Sequence, residues 1–144
     1  MQRFGQRVLA WTAMIAAVLL LGLGRAALAD PNDITVGGVW VCKITHGASG
    51  ATAAERVVQV RQRIGNVLST PRFRGGNAYV YVRAAGADGV ITVGDQQGEI
   101  LVFTVTPEDA AGTSLTPVQL AGQWAPRLAA GLSKALPSAK FHIF

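Results

Sequence analysis

One cysteine, two histidines and eight acidic side chains are all that this 144-residue sequence offers for nucleophilic, metal or acid–base chemistry. A lone Cys42 excludes an intrachain disulfide, and it stands too far beyond the N-terminal apolar stretch to mark a lipoprotein leader. Cys42 and His46, four apart on an expected strand, would share a face but lie about 13 Å from each other, too far for a thiol–imidazole pair. His142 could approach them only through the fold. Cys42, His46 and His142 have no ligand spacing for a transition metal. Asp88, Asp95 and Glu99 lack the alternating oxygen register of a calcium loop, and ordinary turn chemistry accounts for Asp88 and Asp95. No pair of acids stands out as flanking a cleft for glycoside chemistry. The sequence therefore predicts no catalytic residue, no metal and no cofactor.

Charge of one sign is also scarce. The formal charge is +5, from thirteen basic and eight acidic residues. Arg3, Arg7 and Arg25 precede the first acid, Asp30, so ten basic residues face all eight acids from there on, a surplus of two. So small a balance gives no electrostatic case for nucleic acid. Half the residues are apolar and 15% are charged, which fits a folded body and not a disordered chain.

What the chain does have is an N-terminal leader pattern. Arg3 and Arg7 form a basic start, Val8 to Gly24 is an unbroken apolar run, and Ala27 and Ala29 supply small residues before Asp30-Pro31. Basic, apolar, small is the order of a secretory signal, with cleavage expected between Ala29 and Asp30. No arginine pair supports a twin-arginine route. The competing reading is an uncleaved membrane anchor, because the run sits at the short edge of what spans a bilayer. The expected organisation is a signal over residues 1–29 and a single exported domain, periplasmic or secreted, over residues 30–144. Contact with the membrane is expected only if the leader stays on.

Within that domain, Asp33 to His46 reads as two β-rich runs around Gly37-Gly38, a two-residue hairpin. Strict alternation would put Ile34, Val36, Val39 and Val41 on one face and Trp40, Cys42 and Ile44 on the other. Thr52-Ala53-Ala54-Glu55 is a capping box opening a helix to about Leu68. Its apolar stripe holds Ala53, Val57, Val60, Ile64, Val67 and Leu68, with Arg56, Gln59 and Arg63 along one edge and Arg61 along the other. Three strands follow, Ala78–Arg83, Val90–Val93 and Glu99–Val105, and short turns between them predict an antiparallel meander. Thr106-Pro107 and Thr116-Pro117 are two further helix starts. Leu120, Trp124, Leu128 and Leu132 mark a helix face, within which Pro126 predicts a kink or split near Trp124. Lys140–Phe144 reads as an edge strand or a tail. The sum is an α+β fold: a mostly antiparallel sheet, made of an N-terminal hairpin and a three-strand meander, with two main helices packed on one face.

Three stretches deserve weighing for binding. Gly47–Gly50 precedes a helix, as a phosphate loop would, but lacks the lysine and the rest of that fingerprint. Arg72-Phe73-Arg74-Gly75-Gly76 interleaves arginine with an aromatic, which suits stacking on a base or contact with anionic head groups, or simply a solvated loop. Tyr79, Tyr81 and Arg83 alternate on one strand face. They are either anchors for a protein partner or residues packed beneath the long helix.

Two segments carry a family likeness: GGVWVCKITHGASGATAAERVVQVRQRIGNVL and GVITVGDQQGEILVFTVTPEDAAGTSLTPVQLAGQWAPRLAAGL. The first combines a strand, a β-branched run, a small-residue loop and a helix that carries threonine, glutamate and arginine near its start. The second combines a hairpin, a Thr-Pro-x-Asp-Ala turn and a Leu-Ala-x-x-Trp helix. Together they resemble a small extracytoplasmic α+β domain found alone in exported bacterial proteins and ahead of the membrane part of some small-conductance mechanosensitive-channel-like proteins. No later membrane span follows here, so channel activity is not implied, and the resemblance carries over no catalytic residue. Pro126 departs from the helix motif. The expected function is a non-enzymatic exported domain that binds an envelope protein or the cell surface. The alternatives are a hydrolase or small-ligand binder whose site forms only in the fold, and a membrane-tethered accessory subunit.

Overall fold

The computed structural model describes residues 30–144. The expected leader, through Ala29, lies outside the described residues, and Pro31–Phe144 forms one compact unit. The chain begins with the hairpin β1 (Asp33–Val36) and β2 (Val39–Lys43), a two-stranded sheet of its own. Gly37 and Gly38 have φ of +55° and +78°, the left-handed pair that a two-residue hairpin turn demands. One detail departs from strict alternation. Ile34 pairs with Cys42 but Thr35 pairs with Trp40, so Val41 is an extra residue in β2. This bulge breaks the period of two. Cys42 therefore turns inward with Ile34, Val36, Val41 and Ile44, while Trp40 stays 47% exposed on the other side. Trp40 is held there by a hydrogen bond to Asp33 Oδ1 (3.1 Å) and by the Arg127 guanidinium, 5.0 Å from its ring centroid.

Helix α1 (Ala53–Ser69) starts at the expected capping box. Thr52 Oγ1 accepts from the Glu55 amide, and Glu55 Oε2 accepts from the Thr52 amide at 2.7 Å. Val57, Val60, Ile64 and Val67 are buried. A short 3₁₀ turn, Pro71–Phe73, then leads into β3 (Asn77–Ala85), β4 (Asp88–Asp95) and β5 (Gly98–Val105). These form the expected antiparallel meander. Here too a bulge intervenes: Ile91 pairs with Phe103 and Thr92 with Leu101, leaving Val102 over. Val102 and Phe103 are consequently both buried.

Helix α2 (Pro107–Ala110) and helix α3 (Pro117–Ala135) each carry a threonine cap with a closed capping box and proline in the first turn. Pro126 does not split α3, which runs on through Ala135. Both Pro126 and Gly122, whose carbonyl loses its partner, are exposed, so that carbonyl faces water and the apolar face is untouched. Strand β6 (Lys140–Ile143) then pairs parallel with β3, giving the order β5-β4-β3-β6. The fold is thus α+β, with a mostly antiparallel main sheet whose one parallel strand is reached by crossing over through α3. One continuous core joins both sheets and both long helices. It includes Ala78, Val80, Ile91, Val93 and Phe103 of the main sheet and Leu120, Trp124, Leu128 and Leu132 of α3. Phe103 meets Trp124 edge to face at 5.6 Å.

Cys42 belongs to this core, 1% exposed. Burial pushes its thiol well above the ordinary range, so the reactive thiolate is suppressed. A thiol reagent is expected to leave the native protein unlabelled over a time that fully labels the chain in denaturant. Equal labelling in both states would show that β2 opens far more easily than its packing implies.

Candidate functional site: the open face of the main sheet

Because side chains alternate along a strand, the burial of Ala78 and Val80 against α3 dictates where Tyr79, Tyr81 and Arg83 go. They point to the opposite face of β3, which no helix among the described residues covers. This resolves the sequence-level alternative: the tyrosines do not pack beneath the long helix. The pairing of β6 beside β3 adds two rings. Tyr79 stands opposite His142, and Phe144 follows one step beyond the strand. Ring centroids of Tyr79 lie 6.2 Å from Tyr81, 5.6 Å from His142 and 6.0 Å from Phe144, and Tyr81 lies 5.0 Å from Phe144. Phe144 is 81% exposed and the tyrosines are half-buried.

Charge frames the rings. The Arg83 guanidinium sits 4.7 Å over the Tyr81 ring and donates in a fork to Glu99, at 2.5 and 2.8 Å. Thr92 Oγ1 donates to the same carboxylate at 2.6 Å. These bonds, Arg83's first, hold the Glu99 carboxyl down at about 2. At the other end His142 Nε2 bonds Asn77 Oδ1 at 3.2 Å. Leu101 adds an exposed aliphatic side chain on β5. The arrangement offers clustered aromatic faces beside a fixed, neutralised arginine, the composition of a contact surface. Sequence reading found Tyr79, Tyr81 and Arg83 by their alternation. It missed His142, Phe144, Glu99 and Thr92 as members, because only the pairing of β6 and β5 brings them in.

The other sequence candidates are dispersed. Phe73 is fully buried, in edge contact with Phe141 at 6.3 Å, so it cannot stack on a base. Arg72 is engaged by Asp95 (3.1 Å) and the Gly98 carbonyl. Asp95 also accepts from the Gln97 amide at 2.8 Å, the turn chemistry expected of it. His46 is exposed after β2, where its ring bonds the Thr45 hydroxyl, whereas His142 belongs to the other sheet. Among the described residues no group of three or more His, Cys, Asp or Glu could hold a metal ion, and no helix is long and apolar enough to cross a membrane.

A second polar cluster lies inside the molecule. Arg56, expected at the edge of the α1 stripe, is 7% exposed. Its guanidinium donates to Asp109 through both nitrogens (2.9 and 2.6 Å), to the His46 carbonyl (2.5 Å) and to the Thr104 carbonyl (3.0 Å). The same Asp109 caps α2 by accepting from the Thr106 amide. Burial pushes the Asp109 carboxyl up, but the bonds from Arg56 and Thr106 outweigh it and leave it below the ordinary carboxylate range. This pair ties α1, β5, α2 and the loop after β2 to one point.

No curated protein and no solved structure is similar enough to the chain to match it. One family model does match, that of a domain of unknown function, DUF8459, over residues 33–135, from the start of β1 to the end of α3. Tyr79, Tyr81 and Arg83 fall inside that span, and His142 and Phe144 beyond it. With more than half its length covered, the chain belongs to the DUF8459 family.

Proposed function

We propose that this protein is a non-enzymatic, exported binding domain that docks an envelope protein through the open face of its main sheet. The observation that supports it is the cluster of Tyr79, Tyr81, His142 and Phe144 on a face free of helices, with Arg83 locked beside it. Aromatic residues and arginine are the side chains that most often dominate protein interfaces. Export rests on the leader pattern of residues 1–29. A domain of this kind also fits the likeness to extracytoplasmic modules seen alone or ahead of channel-like proteins.

Site-directed photo-crosslinking in intact cells tests the face. A photoreactive residue at position 81 is expected to capture a defined partner, and one at the exposed Val58 of α1 is not. Tyr79→Ala with Phe144→Ala should abolish the adduct while costing less than the roughly 3–5 kcal/mol of an aromatic truncation in a core. Equal capture from both positions, or none from position 81, would overturn the reading, as would turnover across a broad panel of hydrolase substrates. Cell fractionation with intact mass tests the location. A soluble species beginning at Asp30 is expected, whereas a membrane-bound species retaining Met1 would instead make the chain a tethered subunit.

A further inference from the structure

Beside the Arg56–Asp109 pair lies a pocket of about 210 Å³, independent of the sheet face, lined by Ala48, Ser49, Gln59, Val60, Arg63 and Thr104 together with Arg56 and Thr106. Arg56 engages four acceptors through its two terminal nitrogens, and the Thr106 hydroxyl donates to Asp109. The hydroxyls of Ser49 and Thr104, the Gln59 carboxamide and the Arg63 guanidinium have no hydrogen-bond partner among the described residues. Gln59 and Arg63 are one helical turn apart, so both reach the same wall. Ser49 reaches it from a tight turn closed by the Ala48 and Ala51 backbones (2.9 and 3.0 Å), with the left-handed φ of +53° that a serine adopts only at some cost. Residues 52–55 at the α1 N-terminus are not part of the lining.

We infer that this pocket binds a short monocarboxylic acid. Among the described residues Arg63 is the one cation of the lining without a counter-charge, so the pocket asks for a single negative charge. A dianion would carry a surplus charge beside Asp109, which already balances Arg56. The planar fork of arginine matches a carboxylate, and the Gln59 amide and Ser49 hydroxyl can donate to the same oxygens. Ala48 and Val60 provide apolar wall for a short carbon chain. The volume falls below the roughly 300–1,000 Å³ of pockets for drug-sized ligands. An amino acid fits less well, since every oxygen of Asp109 is already taken and no acid remains for an ammonium group.

The test is titration of the isotope-labelled full chain with sodium butyrate at constant ionic strength, followed by amide chemical shifts. Saturable shifts are expected at Ser49, Gln59, Arg63 and Thr104. Arg63→Gln, which removes no internal bond and keeps the folded spectrum, should weaken binding about tenfold or more, as the loss of a charge-assisted bond implies. Arg63→Lys, which keeps the charge without the fork, should recover part of it, and Arg74→Gln in an unrelated exposed loop should change nothing. Shifts that spread over the surface without saturating, butyrate binding untouched by Arg63→Gln, or inorganic phosphate binding tighter than butyrate would each overturn the assignment.

Discussion

Asp109→Ala is expected to lower the free energy of unfolding by about 3–5 kcal/mol, because it strands the Arg56 guanidinium, buried to 7% exposure, without its counter-charge. The same substitution removes the acceptor that caps the Thr106 amide. Arg56→Met combined with Asp109→Leu should recover part of the loss, since no unpaired charge remains, but not all of it. The cap stays lost, and the carbonyls of His46 and Thr104 lose their donor. The pair also has a pH signature. The folded-state pKa of Asp109 lies below that of the unfolded chain, so its contribution is complete above the ordinary aspartate pKa of about 3.9 and is lost as pH falls through the folded value. Urea unfolding from neutral to acid pH should therefore show stability falling below about pH 4, and falling less steeply in the double variant. Glu99, held at about 2, acts in the same direction and remains in both proteins. An Asp109→Ala protein as stable as the parent would mean that Arg56 finds water or another acceptor at no cost.

Gly131→Ala on α3 should destabilise the fold by about 1–3 kcal/mol or more, as overpacking does. A β-carbon on Gly131 would stand 2.6 Å from the Val36 carbonyl oxygen and 2.9 Å from Val36 Cβ. The contact is reciprocal: a β-carbon on Gly37 would run into the Gly131 carbonyl oxygen and come within 2.9 Å of the Ala135 nitrogen. Backbone touches backbone here, and neither side has a flexible side chain to yield. The control is on the same helix. Gly122→Ala meets nothing within 4 Å, and it should gain up to about 1 kcal/mol through helix propensity alone. Thermal unfolding of the two variants is expected to move in opposite directions. Matching shifts would show that α3 and the hairpin turn are free to separate.

The parts of this fold that could be read from sequence are those decided within a few residues. Threonine caps followed by glutamate, aspartate or glutamine, glycine pairs between β-branched runs, and alternation along β3 each carry their own local physics. What escaped reading depends on partners far along the chain or on a single-residue slip. The bulge at Val41 reversed Cys42 relative to Trp40, and no propensity announces a bulge. Pro126 was expected to kink or split α3; the helix runs unsplit to Ala135 because the carbonyl that loses its partner faces water. Arg56 looked like an edge residue of an amphipathic helix because its acceptor is Asp109, 53 positions later. The candidate face was half visible for the same reason. Tyr79, Tyr81 and Arg83 share one strand, whereas His142 and Phe144 arrive on another.

That last arrangement also bears on the order of assembly. The β3–β4–β5 meander closes short loops, but the Asn77–Lys140 pairing joins residues more than sixty positions apart and follows the whole of α3. Long loops cost more entropy to close and are rewarded later in folding. The meander can therefore form while β3 still has a bare edge, with its N–H and C=O groups open to any passing strand. The aromatic surface is complete only when β6 docks, so the chain acquires its candidate contact surface in the same late step that replaces the nine-residue edge of β3 with the four-residue edge of β6.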